Sequence, residues 1–194
     1  AMDIALADRF DYRIKLVAEA FRAGAKVNCR VGPALLRKTH PLAQVDGPLN
    51  AVVVEGEPVG RLTFTGPGAG AGPTAAAVMG DLARLFEGPA GAPLGRPPEQ
   101  LAQLIEAPRS EADQGSFFIG ARIADRPGVF ATLTEALAEA GVSIDKLIQE
   151  SAGESGQAPV AIVTHLCPRA SVEAAMARVM DQGVMGDAPR ILRV

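Results

Sequence analysis

The chain has 194 residues, of which 48% are hydrophobic and 21% are charged. This composition supports a folded apolar core and does not indicate disorder. The formal net charge is -3, and no cluster of Lys and Arg with interleaved aromatics indicates nucleic-acid binding. No stretch approaches the roughly 18 apolar residues of a membrane span, and no signal-peptide pattern opens the chain. The two cysteines form no CxxC pair, so a reducing cytoplasm is the expected location.

The first part of the chain, residues 1–87, has the pattern of an incomplete α/β unit. Gly56-Glu57-Pro58 lies between two strand-like runs and is a hairpin signal. A glycine-rich loop, GPGAGAG, at 66–72 precedes a helical run. We expect a helix ending near residue 7, strands over 13–20, 26–31, 50–55 and 59–65, and a helix over 75–86. The opening Ala1-Met2 is typical of a tag remnant, so we expect a truncated chain.

Residues 88–115 are predicted to be a linker. The run EGPAGAPLGRPPEQ from Glu87 to Gln100 is too rich in Gly and Pro for a regular element. A short helical patch over 99–105 is expected inside this segment.

Residues 116–194 follow the order β-α-β-β-α-β, which predicts a ferredoxin-like unit. Gly141 is expected to end the first helix and Ser171 to cap the second. The predicted strands cover 116–124, 142–149, 159–166 and 190–194, and the predicted helices cover 129–140 and 172–181.

The glycine loop is one candidate ligand site. Glycines let the backbone approach a ligand closely, and the N–H groups that open the following helix favour an anion. The loop lacks the G-x-G-x-x-G spacing of a dinucleotide site and the Lys of a P-loop. The alternative is a tight loop that packs a helix on a sheet, and the local pattern leaves both open.

The turn from Ala124 to Val129, ADRPGV, is a second candidate. Pro127 fixes φ, and Gly128 lets the chain turn onto a helix whose first N–H groups stay open. A small carboxylate could bind there. The alternative is an ordinary strand-to-helix turn.

The histidines and cysteines suggest no metal site and no catalytic set. His40 is expected to be a surface or capping residue, and His165 to be buried. Cys29 alternates with Val27 and Val31, which predicts a core or half-buried thiol.

Several motifs of the first part resemble the later catalytic region of homoserine dehydrogenase, in order and in spacing. The best match is GPGAGAGPTAAAVMGD at 66–81. The other matching runs are YRIKL at 12–16, VGPALL at 31–36, HPLA at 40–43, VDGPLNAV at 45–52, VEG at 54–56 and VG at 59–60. Gly32 departs from the family, in which a His is frequent at that position.

The last part resembles an ACT domain, a regulatory module that binds amino acids. IADRPGVF at 123–130 matches its first strand and turn, and GVSI at 141–144 with LIQ at 147–149 matches its second strand. The two resemblances in this order point to the monofunctional bacterial type of homoserine dehydrogenase.

The resemblance implies an NAD(P)-dependent interconversion of aspartate semialdehyde and homoserine, on the route to threonine and methionine. In that family the cofactor lies on a Rossmann domain, and a Lys with acidic residues handles substrate and proton. Neither the Rossmann glycines nor that Lys segment is found in this sequence. We therefore expect no catalytic residue in this chain and no dehydrogenase activity from it alone.

The resemblance also implies which residues form the binding sites and which partners bind there. Gly68, Gly70 and Thr74 are expected beside the NADP or NAD cofactor. Asp125, Gly128 and Val129 are expected to face a bound amino acid, and threonine is the expected effector through feedback inhibition. Ile144 and Gln149 of a paired domain would complete that pocket, so a dimer or tetramer is expected, with the strands before the glycine loop forming the dimer sheet.

Two other functions stay open at this point. One is a stand-alone amino-acid-binding regulator that acts on a partner enzyme. The other is an ACT fold that serves only to dimerise the enzyme.

Overall fold

The structure is a computed structural model that describes residues 2–88, 91–92, 95–101, 105–106, 113–154 and 156–194. The described chain divides into two compact units. Unit 1 comprises residues 1–38 and 106–194, and unit 2 comprises residues 39–105. The predicted division into 1–87, 88–115 and 116–194 stays a prediction.

The helices and strands appear close to their predicted positions. The helices are α1 (Met2–Arg9), α2 (Ala71–Glu87), α3 (Val129–Glu139) and α4 (Arg169–Asp181). The strands are β1 (Tyr12–Ala23), β2 (Lys26–Arg37), β3 (Asn50–Gly56), β4 (Gly60–Gly66), β5 (Ile105–Glu106), β6 (Gln114–Gly115), β7 (Phe117–Ala124), β8 (Ile144–Gln149), β9 (Gln157–Thr164), β10 (Cys167–Pro168) and β11 (Arg190–Arg193). Short 3-10 helices cover Pro41–Gln44 and Pro98–Gln100.

The sheet of unit 1 has the strand order β1-β2-β11-β7-β9-β8. Within it, β7 pairs antiparallel with both β11 and β9, and β8 pairs antiparallel with β9. The elements β7, α3, β8, β9, α4 and β11 therefore confirm the predicted ferredoxin-like βαββαβ order and the mixed α/β class. The β1–β2 hairpin joins this sheet beside β11.

Both faces of the central strand β7 are covered. On one face, Phe117 and Ile119 belong to a core that includes Leu133 of α3 and Met176 of α4. On the other face, Phe118 packs in a second core with α1 and the hairpin, through Leu6, Phe10, Tyr12 and Leu35. Helix α1 is thus the cover of the face that α3 and α4 leave open.

Unit 2 contains the hairpin β3–β4 and helix α2. The two strands pair along their whole length, from Asn50 opposite Gly66 to Gly56 opposite Gly60. No described residue of α2 is buried, and large apolar side chains stay exposed on all three elements. The most exposed include Val52, Phe64, Met79, Leu85 and Phe86.

Two helix starts differ from the sequence-based expectation. Helix α2 begins at Ala71 rather than 75, since Pro73 is tolerated in a first turn, where N–H groups have no intrahelical partner. Ser171 is not the cap of α4, which begins at Arg169 after Pro168. An ion pair of 2.7 Å between Arg169 Nε and Glu173 Oε1 supports that earlier turn.

The helical patch expected over 99–105 is found only at its start, and it is wrong at Leu101 and Ile105. The 3-10 turn ends at Gln100, Leu101 is extended, and Ile105–Glu106 is a strand. Residues 102–104 lie outside the described residues.

We expect Leu6→Ala to lower the free energy of unfolding by about 2–5 kcal/mol, because it leaves a cavity under α1. Leu6 is 1% exposed in the second core. Urea denaturation followed by circular dichroism measures the change. Ile4→Ala, on the same helix but 64% exposed, should change stability by less than about 0.5 kcal/mol. Equal effects of the two variants would contradict the packing of α1 on the sheet.

Candidate functional site

The turn after β7 places open backbone donors at the start of a helix. Gly128 is the residue before α3 and adopts φ of +88°, in the left-handed region. No side chain caps this helix, so its first N–H groups can meet a ligand oxygen. Asp125 and Gly128 are exposed, and the Asp125 N–H donates to the Gly156 carbonyl at 3.0 Å.

Val129 meets this turn only through its backbone. Its side chain is 4% exposed and lies in the first core. Its N–H donates to the Arg126 carbonyl at 3.4 Å. A ligand at the turn would therefore not contact the Val129 side chain, and the Val129 N–H is already engaged.

Ile144 and Gln149 are the two ends of β8, an outer strand of the sheet. Strand β9 separates β8 from β7 and hence from the base of the turn. Gln149 is exposed and Ile144 half-buried. Whether these two residues of one copy complete the pocket of another stays a prediction.

The glycine loop of unit 2 joins β4 to α2. Gly70 has φ of +116° and precedes α2, which has no side-chain cap. A Cβ on Gly68 would lie 2.3 Å from Asn50 Nδ2, so only glycine fits there without displacing Asn50. The Thr74 N–H donates to the Gly70 carbonyl at 3.0 Å, which leaves the earlier N–H groups of Ala71 and Gly72 open to an anion.

The structure confirms one of the predictions about the histidines and cysteines and corrects two others. His40 is confirmed as a capping residue, since its Nδ1 accepts from the Leu42 N–H at 3.2 Å. His165 is exposed rather than buried, because β9 ends before it at Thr164. Cys29 is exposed and not a core thiol, since Asn28 takes the buried position beside it. Among the described residues, no group of three or more His, Cys, Asp or Glu could hold a metal.

One cavity of unit 1 involves residues that the sequence analysis did not single out. It has a volume of about 500 Å³ and lies where the hairpin meets β11 and the start of α4. Its charged and polar lining residues are Glu19, Asn28, Arg30, Asp113, Arg169 and Arg193. They are scattered over the chain and form no motif. The one local signal is the polar pair Asn28 and Arg30 at alternate positions of a strand.

Comparison with known proteins identifies both parts of the chain. Residues 117–183 match the family model of the ACT domain, in agreement with their βαββαβ order. Residues 1–83 match the family model of homoserine dehydrogenase. Over that region the chain is similar to homoserine dehydrogenases.

Relatives extend these matches along the chain. The chain is 36% identical over 173 residues to the homoserine dehydrogenase of Mycobacterium tuberculosis and 35% identical over 205 residues to that of Synechocystis. These alignments include 87% and 100% of this chain, but 39% and 47% of the relatives. The chain thus spans less than half the length of these relatives.

A solved structure resembles the whole chain. The crystal structure of a homoserine dehydrogenase from Thiobacillus denitrificans superposes with a TM-score of 0.83 at 33% identity, over 98% of this chain and 44% of the other. Homoserine dehydrogenase from S. aureus shares the fold, with a TM-score of 0.62 at 24% identity. Among the described residues, no helix is both long and apolar enough to cross a membrane.

We expect Gly128→Ala to destabilise the protein by about 1–2 kcal/mol, because an L side chain is strained in the left-handed region. Space does not limit this substitution, since nothing lies within 4 Å of the position of the new Cβ. Thermal unfolding by calorimetry measures the loss. Gly153→Ala is the control, because Gly153 has equally open surroundings and no positive φ. A loss of the same size in both variants would contradict the turn geometry.

Proposed function

We propose that the chain is the C-terminal portion of an NAD(P)-dependent homoserine dehydrogenase whose ACT domain senses an amino acid, with threonine as the expected effector. The observation that carries this proposal is the arrangement of the matches: residues 1–83 fit the enzyme family and residues 117–183 the ACT domain. The relatives with this arrangement are named homoserine dehydrogenase. The reaction is then the interconversion of aspartate semialdehyde and homoserine, in a cytoplasmic enzyme.

The glycine loop is suited to part of the cofactor site. The uncapped start of α2 offers N–H groups from Ala71 and Gly72, and the close approach at Gly68 keeps the loop free of side chains. Gly68, Gly70 and Thr74 would lie beside the cofactor, which supplies the hydride when bound. The choice between NAD and NADP would be made elsewhere in the enzyme, since the G-x-G-x-x-G motif is not found in this sequence.

The exposed apolar surface of unit 2 supports the proposal of a larger enzyme. Helix α2 alone exposes Met79 by 63%, Leu85 by 64% and Phe86 by 89%. A soluble protein seldom leaves apolar side chains clustered in this way unless another surface covers them. In the proposed enzyme, the cofactor domain and a second subunit would provide that cover.

The effector pocket is proposed to form between two copies of the ACT domain. The turn with Gly128 offers backbone donors to a carboxylate, while Asp125 offers a negative charge to an ammonium group. The outer edge of β8 has no neighbour among the described strands of unit 1, and open strand edges favour pairing with another chain. A dimer or tetramer that pairs these edges would bring Ile144 and Gln149 of one copy to the turn of the other.

We expect calorimetric titration of the chain with L-threonine to show saturable binding, whereas L-valine and L-serine bind more weakly. Gln149→Ala should weaken threonine binding about tenfold, the effect of losing one hydrogen bond in a polar pocket. Gln100→Ala makes the same chemical change on an exposed residue of unit 2 and should have no effect. A folded dimer without threonine binding would argue for an ACT domain that only dimerises the enzyme or binds another effector.

We expect the purified 194-residue chain to show no NADP or NAD reduction with homoserine, because neither the Rossmann glycines nor the catalytic Lys segment is found in its sequence. Absorbance at the nicotinamide band measures the rate, with a full-length homoserine dehydrogenase as positive control. Sustained turnover by the chain alone would contradict the assignment of the catalytic residues to another part of the enzyme.

A further inference from the structure

Charged side chains crowd the cavity beside β11. Three guanidinium groups, from Arg30, Arg169 and Arg193, line it against two carboxylates, from Glu19 and Asp113. Arg30 Nε donates to Glu19 Oε2 at 2.9 Å. Arg169 Nε is in turn paired with Glu173 Oε1 at 2.7 Å, so the charges around this recess of about 500 Å³ are close to balanced.

Several donors at this cavity lack a hydrogen-bond partner among the described residues. They are Arg30 Nη1, Arg193 Nη1 and Asn28 Nδ2, each an atom shielded from solvent. Asn28 is only 6% exposed as a whole residue. Buried polar groups in native proteins are nearly always paired, so these three donors need an acceptor other than the described protein groups, which either an ordered water or a bound anion would provide.

The guanidinium of Arg193 is held in a fixed position. Its Nη2 donates to the Gln114 carbonyl at 2.7 Å. A Cβ added to Gly115 would lie 2.7 Å from Arg193 Nη1, so the side chain rests directly on the main chain of β6. A donor that is held in place loses little entropy when a ligand binds.

The crowding of cations has an electrostatic consequence. Burial lowers the pKa of Arg193 below its usual value, and the guanidiniums of Arg30 and Arg169 lower it further. The carboxylates of Glu19 and Asp113 oppose that shift. An anion beside Arg193 would oppose both the burial and the repulsion from the neighbouring guanidiniums.

We propose that this cavity binds a small tetrahedral oxyanion of the phosphate or sulfate class, held by Arg30, Arg193 and Asn28 with Arg169 at the rim. Guanidinium groups pair with oxyanions through two parallel N–H bonds. Donors from three separate residues suit an anion with four oxygens better than a carboxylate with two. The site is distinct from the turn at Gly128 and from the glycine loop.

The test uses the whole chain and inorganic phosphate, followed by calorimetry and by ³¹P line broadening, with sulfate and acetate at equal ionic strength. We expect saturable binding of phosphate and sulfate, and little binding of acetate. Arg193→Gln should weaken phosphate binding about tenfold or more, as expected for a hydrogen bond between charged groups. Asn28→Leu removes a donor without changing the charge and should also weaken binding.

Arg84→Gln is the matched control, since it removes the same charge from a side chain that is 80% exposed. It should leave the phosphate affinity within about twofold. No saturable binding of phosphate or sulfate by the folded chain would overturn the proposal, as would equal weakening by Arg84→Gln. Acetate binding as tight as that of phosphate would overturn the assignment to a tetrahedral anion. If Arg193→Gln does not fold, Asn28→Leu decides the same question.

Discussion

The burial of β7 on both faces is the constraint on which the rest of unit 1 depends. A strand with Phe117, Phe118 and Ile119 in succession has no face to give to solvent, so each side needs a cover. Helices α3 and α4 cover one side, as the ferredoxin-like order requires. The other side is covered by α1 and the β1–β2 hairpin. Residues that match the dehydrogenase family thus complete the core of the unit that contains the ACT domain.

The same strand connects two candidate sites. It begins at Phe117, which lines the cavity beside β11, and ends one residue before Asp125 in the turn at Gly128. Its eight residues span roughly 25 Å at about 3.3 Å per residue. Because the strand is paired on both edges and packed on both faces, a movement at one end is more easily carried by the whole sheet than by the strand alone.

Local patterns predicted most of this fold, and long-range contacts explain what they missed. The hairpin around Gly56-Glu57-Pro58 and the βαββαβ order follow from periodicity and turn residues, which act over a few positions. Whether Cys29 is exposed, and which face of the sheet α1 covers, depend on contacts between residues that are far apart in the sequence. The glycine loop and the turn at Gly128 were recognisable because each is a continuous segment. Arg30 and Arg193 are 163 positions apart, so no motif could reveal that they share a cavity.

The candidate anion sites differ in whether water can satisfy their hydrogen-bond donors when no ligand is bound. At Gly70 and Gly128 the donors are backbone N–H groups at exposed helix ends, which water can satisfy when no ligand is bound. At the cavity beside β11 the donors are shielded from solvent, and each donor left without a partner lowers the stability of the fold by about 1–3 kcal/mol. If the cavity bound no ligand, apolar side chains of similar volume in place of the charged ones would avoid that cost. Such replacements often stabilise a protein equally well. The unpartnered donors of Arg30, Arg193 and the buried Asn28 are therefore better explained by binding than by stability.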